Sequence, residues 1–137
     1  MNGHNPAPWL WVAGAIQIAI VLANAALSAR LNVRAGMASA PRFLRQVFTV
    51  HWIYVVLTVS LFSLLCFFFA GDLAGGSKLG RCLCIAMGGF WGLRLPLQLF
   101  YYDGELRRQN RALDVAYVLA LVALIAIFFG AAMFPRR

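Results

Sequence analysis

Val115 to Phe134 reads VAYVLALVALIAIFFGAAMF, twenty residues without a charged side chain. Wound as an α-helix at about 1.5 Å per residue, that run extends about 30 Å, the thickness of the hydrocarbon core of a bilayer. Its apolar residues surround the helix axis instead of forming one stripe, so the segment asks for an apolar environment on every side. Working outward from it, three more runs of the same kind precede it. The expected spans are about 9–29, 46–70, 80–102 and 112–134.

Composition agrees with that reading. Of 137 residues 63% are hydrophobic and only 12% are charged, with a mean hydropathy of +0.79. A soluble domain of this size has too little interior to hide so much apolar surface. Four spans use most of the chain and leave short connections, so the expected fold is all-α: a single transmembrane domain built as an antiparallel four-helix bundle. Ala38-Ser39-Ala40 resembles a signal cleavage site, but no Lys or Arg precedes Arg30 and the cations follow the apolar run instead of leading it. The first run is therefore expected to stay as a helix. Ala70-Gly71-Asp72 and Gly75-Gly76-Ser77 are read as ordinary turn residues between the second and third spans.

Lys and Arg in short loops set orientation. Arg30, Arg34, Arg42 and Arg45 in the first connection and Arg107, Arg108 and Arg111 in the third make seven; Lys78, Arg81, Arg136 and Arg137 on the opposite side make four. The bias places both termini outside the cytoplasm and loops 1–2 and 3–4 inside. The net charge of +8 is accounted for by cationic loops beside anionic headgroups, and no basic domain suggests nucleic acid.

Polar residues inside the spans carry the functional information, because each costs free energy there unless it meets protein, water or ligand. On the first helix Gln17, Asn24 and Ser28 share a stripe, with Ala15, Ala19, Ala23 and Ala26 roughly opposite; small residues and buried amides both favour helix–helix contact. The second helix aligns His51, Tyr54 and Thr58. The third aligns Trp91, Arg94, Gln98 and Tyr101, and Pro96, unable to donate to the Gly92 carbonyl, predicts a kink or local break near Arg94. The fourth adds Asp114 and Tyr117 and little else that is polar, so it is expected to face lipid most.

Asn24, His51, Tyr54, Gln98, Tyr101 and Tyr117 all fall near the 1–2 and 3–4 loops, with Arg94 deepest, about 12 Å inside the end of its span by helical rise. An antiparallel bundle is expected to gather them into a polar pocket in one leaflet. No Asp or Glu lies within an apolar core, so Arg94 has three options: to snorkel to phosphate, to take carbonyls freed near Pro96, or to hold an anion from outside the chain. An anionic lipid, a small anionic or carbonyl-bearing ligand, or a carboxylate from a partner subunit would each fit.

Trp9, Trp11, Trp52, Tyr101 and Tyr102 also suit an interfacial aromatic belt. His51 reads as a hydrogen-bonded interfacial residue, and with His4 across the membrane there is no pair for haem and no ligand set for a metal. Cys82-Leu83-Cys84 is not a redox C-x-x-C motif; buried apolar cysteine is the favoured reading, with pairing of Cys66 to Cys82 or Cys84 left open. No cofactor is named by any motif. The sequence reading is thus a small non-enzymatic membrane protein, homo-oligomeric or a subunit of a membrane complex. A transporter or channel for a small anion or amphiphile is the alternative, and a membrane redox enzyme comes third.

Overall fold

The computed structural model describes residues 5–101 and 104–134, with the side chains of residues 105–107 left aside. The described chain is helical, with no strand. Four long helices dominate: α1 (Ala7–Arg30), α3 (Arg42–Phe68), α5 (Lys78–Pro96, continued by a π-helical turn Leu97–Tyr101) and α7 (Arg111–Met133). Each is long and apolar enough to cross a membrane, and the chain is a multi-pass membrane protein with an all-α four-helix bundle. Short helices α2 (Val33–Gly36), α4 (Ala70–Ala74) and α6 (Gly104–Gln109) lie in the connections.

Local chemistry fixes the helix ends. Proline opens α1, where a missing N–H costs nothing, and the Asn5 side-chain carbonyl accepts the Ala7 N–H at 3.2 Å. Asn32 takes a left-handed φ of 48° between α1 and α2, a conformation that asparagine tolerates better than most residues. Ser77 caps α5, its Oγ accepting the Gly80 N–H at 3.0 Å.

Two connections differ from expectation. The Ala70–Ala74 stretch is a helical turn, not an open loop; Ala70, Leu73 and Ala74 are buried, and α4 packs on α1 and α5. Gly76, with φ of 73°, reverses the chain after it, and Gly80 lies so near that a Cβ would sit 2.6 Å from the Asp72 carbonyl oxygen. At Pro96 the α-helical part of α5 ends and the π turn begins. The irregularity therefore lies on the C-terminal side of the proline and leaves Arg94 in regular helix.

Two antiparallel hairpins make the bundle. The most extensive interfaces are α5 with α7 and α1 with α3, and α1 against α7 joins the hairpins. α7 is the correction to the expected lipid-facing span: Leu121, Leu124, Phe128, Ala131 and Ala132 are buried, whereas α3, four residues longer, buries only Val59, Ser63 and Cys66. In lipid an apolar side chain gains little from facing the interior, so a featureless apolar helix is as good a core as it is a rim.

Full burial is confined to one half of the bundle. Every buried residue of α1 lies at or before Ile20, every one of α3 at or after Val59, every one of α5 at or before Trp91 and every one of α7 at or after Leu121. Among the described residues of 21–58 and 92–120 none is buried. The end that carries the termini and α4 is closed, and the end that carries the 1–2 and 3–4 connections is open.

Candidate functional site

The closed half contains a small polar lock. Ser63 of α3 donates to the Gly14 carbonyl at 2.9 Å, and Gln17 of α1 donates to the Ala13 carbonyl at 3.2 Å and towards Cys66 Sγ at 3.6 Å. Gly14 permits this approach: a Cβ there would come within 3.1 Å of the Phe67 ring and 3.2 Å of the Cys66 Cβ. Phe62 and Phe90 meet edge to face at 5.3 Å between centroids and bring α3 to α5. Gln17 Oε1 and Trp91 Nε1 are buried without a hydrogen-bond partner among the described residues. Gln17 thus faces inward as its stripe implied, whereas Ala15, Ala19, Ala23 and Ala26 are exposed. Asn24 is exposed as well, and Ser28 is half-buried.

The polar residues of the open half fall into two groups. The first is a seam between α5 and α7. Arg94 Nε donates to the Tyr117 hydroxyl oxygen at 3.4 Å, and one turn further on Gln98 Nε2 donates to Asp114 Oδ1 at 2.9 Å. The four positions follow from spacing, i and i+4 on α5 facing i+3 and i on an antiparallel α7. All four side chains are half-buried.

Asp114 is the residue that the sequence reading left outside. Its place near the start of the fourth helix suggested the membrane surface, yet its carboxylate belongs to the same seam as the guanidinium. The readable signal was its i, i+3 relation to Tyr117.

The second group lies on α3. His51 and Tyr54 line a shallow groove with Phe43, Gln46, Val47 and Val50. Among the described residues no hydrogen bond joins the side chains of Asn24, His51 or Tyr54 to the seam. Tyr101 is turned outward at 81% exposure, and Tyr102 lies outside the described residues. Of the residues expected to share a pocket, the structure brings Arg94, Gln98 and Tyr117 together and leaves Asn24, His51, Tyr54 and Tyr101 on exposed faces.

Chemically the seam presents donors. A phenol that accepts from a guanidinium keeps its own O–H to donate, so Arg94 and Tyr117 can converge on one oxyanion or carbonyl oxygen. Asp114 balances the charge of the seam through its neighbours. Among the described residues no group of three or more His, Cys, Asp or Glu is placed to hold a metal. The three cysteines are free thiols, Cys66 and Cys84 buried and Cys82 exposed. Compared with protein-family models, curated proteins and solved structures, the chain matches none.

Proposed function

We propose that this membrane protein is a non-enzymatic binding subunit, homo-oligomeric or part of a larger membrane complex, whose open half receives an anionic or carbonyl-bearing amphiphile or partner group at Arg94 and Tyr117. The observation that carries this reading is the pairing of a half-buried guanidinium with a half-buried phenol inside an apolar span, in the half of the bundle where no described residue is fully buried. A site built this way takes a headgroup from the side, through lipid, without a water-filled passage.

The closed half supports binding over transport. Leu10, Ala13, Leu121, Leu124 and Phe128 are fully buried in close contact on the far side, where a continuous aqueous path would have to run. The same one-sided opening fits a single state of an alternating-access carrier for a small anion or amphiphile, and a flux assay in vesicles separates the two readings. The outward alanine stripe of α1 supports contact with a second copy or a partner helix. The orientation we propose puts the open half in the cytoplasmic leaflet, where anionic lipid is concentrated. A reporter fused after Arg137 is then active outside the cytoplasm and one at Arg108 inside.

Arg94 provides the test. Its planar fork can hold an oxyanion bidentately, and lysine keeps the charge without the fork. Arg94→Lys is expected to retain part of the bound lipid or partner seen by mass spectrometry of the gently solubilised protein, and Arg94→Gln to lose nearly all of it. A glutamine variant that is equally loaded and more stable would mean that the arginine only reaches for the surface.

A further inference from the structure

A second cationic feature stands apart from the seam. At the start of α3, Arg42, Arg45, Gln46, Thr49 and Val50 form one exposed face of that single helix at the open end of the bundle, with only a shallow furrow between their side chains. Gln46 and Val50 also line the neighbouring furrow, whose other sides are Phe43, Val47, His51 and Tyr54. The two are therefore continuous, cationic at the helix start and apolar or aromatic further along. From Arg42 to Tyr54 the helix rises about 18 Å, close to the roughly 15 Å of hydrocarbon in one leaflet.

Neither arginine is answered by a described residue. No Asp or Glu occurs before Asp72 in the sequence. Among the described residues the Arg42 and Arg45 side chains have no hydrogen-bond or ion-pair partner, while the Asp114 carboxylate accepts from Gln98 of α5. The Thr49 hydroxyl donates to the Arg45 carbonyl at 2.8 Å, which leaves its oxygen as an acceptor. The Gln46 amide adds donors beside the two guanidinium groups.

We propose that this exposed face of α3 is a specific site for an anionic phospholipid, with the phosphate between Arg42 and Arg45 and an acyl chain along Val47, Val50 and Tyr54. Charge complementarity selects the headgroup, and the apolar continuation of the face selects a lipid over a soluble phosphate. The inference is independent of the Arg94 seam and requires only that α3 spans the membrane.

The test uses the purified, delipidated full chain with phosphatidylglycerol and phosphatidylcholine as probes, bound lipid being counted by native mass spectrometry. Phosphatidylglycerol should bind in preference to phosphatidylcholine. The double variant Arg42→Gln/Arg45→Gln should weaken phosphatidylglycerol binding about 30-fold, the effect of two cations at about 1 kcal/mol each. Arg108→Gln/Arg111→Gln, which removes the same charge from the other loop, should change it little. Val47→Ser/Tyr54→Ser should weaken phospholipid binding and leave glycerol phosphate, which lacks acyl chains, unaffected. Equal losses in the two arginine pairs would reduce the site to bulk charge, and equal affinity for phosphatidylcholine would remove the headgroup claim. Glycerol phosphate binding as tightly as phospholipid would assign the arginines to a soluble anion and overturn the lipid site. Retained folding of each variant is checked by its thermal transition, and Arg94 is unaltered throughout, so failure here leaves the seam untouched.

Discussion

The two halves of the bundle use the same four helices and the same kinds of apolar residue, yet they are held by different means. Near the termini, Leu10, Met87, Trp91, Leu124 and Phe128 belong to one buried cluster, and α4 packs on both α1 and α5. Near the arginine-rich connections the side chains turn outward: Tyr54, Leu93 and Phe100 are 66%, 73% and 86% exposed. Small residues occur in both halves, but only in the closed half are they buried at helix contacts; Ala23, Ala26 and Ala116 of the open half are exposed. Ala13, Gly14, Gly80, Gly88, Ala131 and Ala132 let backbones approach where the bundle is closed, and close approach is the main source of attraction between helices in lipid. Where small residues face outward, as in the open half, polar groups are left to pair locally or with something else.

Truncation should expose this difference most strongly. Phe128→Ala opens a cavity in the closed half and is expected to destabilise by about 3–5 kcal/mol, whereas Phe100→Ala should stay within about 0.5 kcal/mol. Thermal unfolding of both in the same detergent checks the pair, and similar losses would erase the distinction between the halves. Added volume gives a smaller contrast. Gly80→Ala drives a methyl against the Asp72 carbonyl, a backbone atom that cannot swing aside, and should cost about 1–3 kcal/mol. Gly92→Ala meets nothing within 4 Å and should be neutral or slightly favourable in the same assay.

The seam gives a smaller energy still, but one that bears on function. A double-mutant cycle with Gln98→Leu and Asp114→Leu should return a coupling of about 0.6 kcal/mol, the usual size of a side-chain hydrogen bond between membrane helices. No coupling would mean that α5 and α7 part before Gln98 and that the open half begins deeper than described. The least perturbing probe is thiol accessibility. A small membrane-permeant maleimide should label Cys82 readily and reach Cys66 and Cys84 only after unfolding. Labelling of all three at similar rates would show that the closed half admits solvent or lipid.

The spans were readable because twenty uncharged residues in a row have few other physical uses, and the grouping of Arg94, Gln98 and Tyr117 was readable because helical spacing puts them at one depth. Inward direction was less legible. His51 and Tyr54 were expected to join the polar pocket because polar groups seek partners, but an open half offers them lipid headgroups and water instead. α7 looked peripheral because it has so few polar residues, although Phe128 and Leu124 are as comfortable in protein as in lipid. α4 could not be read at all from periodicity, since five residues make barely more than one turn. Asp114 was left out of the grouping because nearness to a span's end says little about which helix the side chain turns toward.

Tryptophan fluorescence offers the most direct test of a bundle closed at one end and open to lipid at the other. Trp91 is 2% exposed in the closed half and Trp52 is 40% exposed in the open half. In variants that keep one of these tryptophans and replace the other three by phenylalanine, lipids brominated along the acyl chain should quench Trp52 strongly and leave Trp91 nearly untouched. Equal quenching of the two would contradict the division of the bundle on which the proposed site depends.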